Sequence, residues 1–176
     1  MSTTTHKQIK RLALLAILTA MAVVLRVAHF IPVPNVQPVT DILMISTLEM
    51  GFGFGVALAV LVMVISNIFL GFGIWTLPQI AAYAVCVLVV FLFGKIPVFC
   101  KHFWLQIILA TLLGYVYGLI INFGMSIWGG WEAFIVYTAG SFLFDTYHCI
   151  GNFVFYPILY RPLTLALERY NRGKMK

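Results

Sequence analysis

Asp145, His148 and Asn152 stand three and four residues apart, in a segment that is otherwise almost wholly apolar. On a helix that spacing places all three on one face. Ionisable groups within a membrane-spanning segment are expensive and turn toward the bundle interior or a water-filled cavity. Three roles are open to this face: the floor of a ligand pocket, a proton relay, or a self-satisfied pair tying its helix to Asn67 or Gln106 across a bundle. A second group of polar and aromatic residues gathers around the loops. Arg26 and His29 lie within one turn of each other, followed by Asn35 and Gln37; Trp75 and Gln79 follow in a later loop, with Tyr83 one turn deeper. Asn122, Trp128, Trp131 and Tyr137 flank a third loop. Aromatic walls with a few amides and hydroxyls are the usual composition of a small-molecule site. Each of these residues also suits interfacial anchoring or helix packing. Asp41, beside Thr40, is expected to cap a helix N-terminus, where the dipole favours a carboxylate.

Other chemistries find no support. Ser141 and His148 share a helix, but no nucleophile-elbow or oxyanion motif accompanies them. There is no HExxH zinc motif and no GxxxxGK[ST] phosphate loop. An enzyme is therefore not expected, nor a bound metal or cofactor, and the chain cannot hydrolyse ATP in the usual way. Cys86, Cys100 and Cys149 are odd in number and lack metal-ligand spacing, so they read as small core residues.

The elements that must position these residues are set by composition. Hydrophobic residues make up 62% of the 176 positions and charged residues only 9%, against about a quarter in a soluble domain. Such a surface needs lipid as its solvent. Six segments are candidates for crossing: 9–30, 38–51, 53–71, 78–95, 103–126 and 133–160. The second is short for a bilayer needing about 20 residues, and reads as a tilted helix, a half-span, or one arm of a hairpin with the third. With six crossings and the N-terminus inside, ten of the eleven basic residues fall on the cytoplasmic side, as the positive-inside rule requires. Arg26 is the exception, near the outer end of the first helix, where it could snorkel. The expected fold is therefore an all-α integral membrane protein, a six-transmembrane-helix bundle with both termini cytoplasmic, forming a single domain over 1–176. The net charge of +6 marks topology rather than nucleic-acid binding, because the positives are dispersed around helix ends. Residues 7–25 have the basic start and apolar run of a signal peptide, but no small-residue cleavage site follows, so retention is expected.

The outer connections IPVPNVQPV (31–39), GFGIWTLPQ (71–79) and WGGWE (128–132) are rich in Pro, Gly, amides and Trp. Irregular backbone concentrated on one face suits a lid over a ligand; an aromatic belt with ordinary turns is the plainer reading. Ala13, Ala16 and Ala20 form a small-residue stripe on the first helix. Such a stripe lets another helix approach closely in lipid, whether internal or foreign.

Size, topology and this stripe, with its AxxxA step Ala16–Ala20, resemble the S component of energy-coupling factor (ECF) vitamin transporters. The segment PNVQPVT at 34–40 and the aromatic loops resemble the cobalamin-type members. The resemblance implies that the stripe docks onto a transmembrane coupling subunit joined to two ATPase subunits, which use the ATP. It also implies a vitamin held from outside by the first, third and fifth loops, and a place in the cell membrane. Two other readings of the residues stand beside it: a structural or assembly subunit of a membrane complex, and a self-sufficient ion-coupled carrier.

Overall fold

A computed structural model of the protein describes residues 3–28 and 33–172, apart from the side chains of residues 3, 4 and 172. Every regular element among them is helical: α1 (Thr3–Val27), α2 (Val39–Met50), α3 (Phe52–Leu70), α4 (Thr76–Phe93), α5 (Pro97–Lys101), α6 (Phe103–Met125) and α7 (Gly130–Arg172). Four of these, α1, α3, α4 and α6, are long and apolar enough to cross a bilayer. Large apolar side chains such as Ile68, Phe69, Leu77, Val136 and Ile158 stand exposed around the bundle, as lipid contact requires.

The short second segment is the centre of the structure. Residues 39–47 of α2 are all buried, because α3, α4, α6 and α7 pack around it, with α1 alongside. A helix buried nearly all round, with Thr40, Asp41, Ser46 and Thr47 inside as well as its apolar residues, has no exposed face to reveal its period, which is why its role is hard to read from sequence. Its 12 residues rise only about 18 Å. The loop before it covers the remaining depth: Gln37 lines a cavity at one end of the bundle, while Glu49 lines one at the other. Gly51, at φ 87°, turns the chain directly from α2 into α3, a conformation that favours glycine.

Three expectations are corrected here. Asp41 does not cap α2: the N-cap is Pro38, no side chain closes that terminus, and neither carboxyl oxygen of Asp41 is hydrogen-bonded. Thr40 and Asp41 are instead swallowed by the core. The last helix does not stop near residue 160 but runs 43 residues, to Arg172. Pro157 and Pro162 lie inside it, each removing one backbone bond without ending the helix. At about 65 Å it is roughly twice the depth of a hydrocarbon core. Of the cysteines, Cys86 and Cys149 are buried as expected, but Cys100 is exposed and donates to the Gly94 carbonyl at 3.2 Å.

α6 and α7 form the most extensive helix pair. Asn152 Nδ2 donates to the Ala110 carbonyl at 2.9 Å and Asn122 Nδ2 to Ser141 Oγ at 2.8 Å, while Gly114 abuts Cys149 and Gly118 abuts Asp145. These contacts advance by four on α6 and recede by three or four on α7, one antiparallel seam with a contact at every turn. Gly114 and Gly118 form a GxxxG step at its middle, a signal visible in the sequence but unassigned there.

Candidate functional site

The C-terminal ends of α1 and α3 and the N-terminal ends of α2 and α4 meet at one end of the bundle, with the loop 33–38 laid over them. There they enclose a cavity of about 350 Å³ lined by Arg26, Pro34, Asn35, Gln37, Leu70, Gln79, Tyr117, Ile121 and Phe144. Four of the residues singled out by type and spacing, Arg26, Asn35, Gln37 and Gln79, are thus brought together from three separate parts of the chain.

Arg26 does not snorkel. It is only 7% exposed and points inward from the last turn of α1. Its Nη1 donates to Ser66 Oγ and, at 3.1 Å, to Asn67 Oδ1. Asn67 is itself held: its Nδ2 donates to Gln79 Oε1 at 2.9 Å and to Thr76 Oγ1 at 3.2 Å. The guanidinium is therefore positioned by α3 and, through Asn67, by α4. Ser66 and Asn67 sit in the last turns of α3, where Gly71, at φ 96°, ends the helix. These acceptors are neutral. Among the described residues, no carboxylate is a hydrogen-bond partner of Arg26.

The loop is pinned from the other side. Asn35 adopts φ 63°, a left-handed conformation that Asn tolerates better than most residues. Its Nδ2 donates to the Phe144 carbonyl on α7 at 3.4 Å. Tyr83 lies beneath the cavity, fully buried, with its ring 4.4 Å from that of Tyr117. Tyr117, Phe144 and Ile121 were not anticipated; an aromatic residue inside an apolar run gives no sign of which way it faces.

The remaining candidates lie elsewhere. Asn122 is bound to Ser141, which donates to Asp145 Oδ2 at 2.8 Å, so these side chains clamp α6 to α7. Trp75 folds its ring over Gly73 in its own turn, and Trp128 is 82% exposed. Trp131 stacks on Phe134 with centroids 5.1 Å apart, and Tyr137 is exposed on the same helix. Their outward placement suits a belt at the membrane interface. His29 lies outside the described residues.

The shared face of α7 acts mainly as a fastener. His148 Nε2 and Thr40 Oγ1 are 2.7 Å apart, with both groups buried, and the His148 ring meets Tyr117 edge-on at 5.1 Å. The tie from α7 therefore reaches α2 and α6 rather than Asn67, which is turned to Arg26, or Gln106, which accepts from Tyr156 at 2.7 Å. Thr40→Val, close in shape but unable to hydrogen-bond, should leave the imidazole nitrogen stranded and destabilise the protein by about 1–3 kcal/mol. Melting of the detergent-purified variant tests this, with Thr40→Ser expected to retain most of the loss.

Ala13, Ala16 and Ala20 are all exposed on α1, so the small stripe is not used against this chain's own described helices.

A family model described as "ECF transporter, substrate-specific component" matches residues 10–160. Comparison with curated proteins and with solved structures found no match.

Proposed function

Because this chain belongs to the ECF transporter substrate-specific component family, we propose that it captures a vitamin in the cavity beneath loop 33–38 and hands it to an ATP-driven complex. Membership makes it a multi-pass plasma-membrane protein of a transporter family, not of an enzyme family, that associates with other ECF subunits. The finer reading is ours. α2 and α7 join the four long apolar helices as crossings, giving six, with both termini cytoplasmic and the cavity facing outward. A transmembrane coupling subunit grips Ala13, Ala16 and Ala20, and two ATPase subunits supply the energy.

The observation that carries capture is the cavity itself: a buried, positioned cation with three amide side chains, Asn35, Gln37 and Gln79, on a partly apolar wall. Sites for small molecules combine few polar groups with apolar lining in this way, in volumes of about 300–1,000 Å³. Cobalamin is the vitamin suggested by resemblance. With the loop seated as described, the cavity is at the small end of that range, so cobalamin would need loop 33–38 to swing away.

The test is a vitamin panel, cobalamin included, applied to the purified subunit alone. One vitamin should raise the melting temperature at near-stoichiometric concentration. If none does, the subunit is better regarded as a structural or assembly component. If liposomes holding only this chain accumulate substrate on an ion gradient, it is a self-sufficient carrier and the ATP-driven reading is lost.

A further inference from the structure

We propose that the ligand carries a carboxylate, seated on the open edge of the Arg26 guanidinium; this rests on the capture reading above and specifies its substrate class. Arg26 spends one nitrogen, Nη1, on Ser66 and Asn67. The Nε and Nη2 edge, the fork that matches a carboxylate in two parallel hydrogen bonds, has no acceptor among the described residues.

Charge makes the same demand. A cation this deeply buried without a counter-ion is costly, and neutral acceptors orient it without neutralising it. Neither interior aspartate is bonded to it among the described residues: Asp145 accepts from Ser141, and the carboxyl oxygens of Asp41 have no hydrogen-bond partner. The missing negative charge is therefore the ligand's. A single charge is enough, since Arg26 is the only basic residue among the described residues lining the cavity. A phosphate dianion would call for more. Asn35, Gln37 and Gln79 remain to bind neutral polar groups of the same molecule.

Acid and neutral pairs separate this from the general capture reading. Purified subunit in detergent is titrated calorimetrically with biotin and biotinamide, pantothenate and pantothenol, nicotinate and nicotinamide, and also with riboflavin and cyanocobalamin. One acid should bind, and its neutral counterpart should bind about 100-fold more weakly, the scale of losing a buried charge-assisted pair. Arg26→Gln should lose about as much, and Arg26→Lys less. If the Arg26 variants fail to fold, the acid and neutral comparison on the unaltered protein still decides. Equal binding of both members of a pair overturns the proposal. Tight binding of riboflavin or cyanocobalamin, undiminished in Arg26→Gln, overturns it while leaving capture intact; binding of nothing in the panel removes capture itself. A lipid phosphate is the competing occupant. Weaker acid binding in phosphatidylglycerol than in phosphatidylcholine nanodiscs, with Arg26→Gln abolishing the difference, would assign the fork to lipid and overturn the proposal.

Discussion

Tryptophan at Ala16 or Ala20 should abolish vitamin uptake by cells while changing the purified subunit's ligand affinity by no more than about twofold, or roughly 0.4 kcal/mol. Both alanines are exposed on α1, so a larger side chain meets nothing within the described chain and the isolated bundle should melt as before. On the proposed reading they let a foreign helix come close. Association in lipid depends on such close backbone approach, because burial from water offers no gain there. An indole holds the two helices apart along the whole stripe, and neighbouring contacts are lost with it. Arg26, Asn35, Gln37 and Gln79, which line the cavity, do not touch this stripe. Ala16→Gly, which keeps the surface low, should transport normally. Unimpaired uptake by both tryptophan variants would remove the stripe from the mechanism; parallel loss of uptake and binding would mean that it acts through the fold.

What the sequence revealed, and what it hid, follows from how strongly each feature is encoded. α3, α4 and α6 are long apolar runs with breakers at both ends, and their bounds fall within one or two residues of expectation. The last crossing segment was bounded at 160 because Arg161 interrupts the apolar run, yet the helix itself continues to Arg172, through Pro157 and Pro162, since leaving the apolar stretch does not oblige a helix to stop. Arg26, Asn35, Gln37 and Gln79 were legible because polar residues near the ends of apolar helices are rare enough to stand out. Their partners were not. Ser66 and Asn67 reach Arg26 across 40 and 41 positions, and nothing local encodes such a pairing. Trp75, Trp128 and Trp131 show the opposite difficulty: a tryptophan beside a loop suits a lid and an interface belt equally, and only placement separates them. The buried pair of Thr40 and His148 is 108 positions apart, beyond any argument from helical spacing.

Gly114→Leu should cost the protein about 3 kcal/mol or more, at or above the upper end of ordinary overpacking. A Cβ at this position would lie 2.8 Å from the backbone nitrogen of Cys149 and 2.7 Å from its sulfur. The sulfur can rotate away, but the backbone cannot without parting α6 from α7. Because the seam is continuous, separation here also strains the Asn152 to Ala110 and Asn122 to Ser141 bonds on either side. Even Gly114→Ala should therefore destabilise. Gly118→Ala differs in kind: the obstruction is the Asp145 carboxyl, at 2.3 Å, a side chain that can turn aside at the expense of its bond from Ser141. Gly140, on the same helix pair but with nothing within 4 Å of an added Cβ, supplies the control, and its alanine variant should melt as the parent does. The expected order of melting temperatures is Gly140→Ala, then Gly118→Ala, then Gly114→Ala, with Gly114→Leu lowest or unfolded. A Gly114→Leu protein melting within about 2 °C of the parent would show that α6 and α7 do not meet at this glycine. The placement of Tyr117 and Phe144 together in the cavity lining would then lose its support, since that same seam holds their helices side by side.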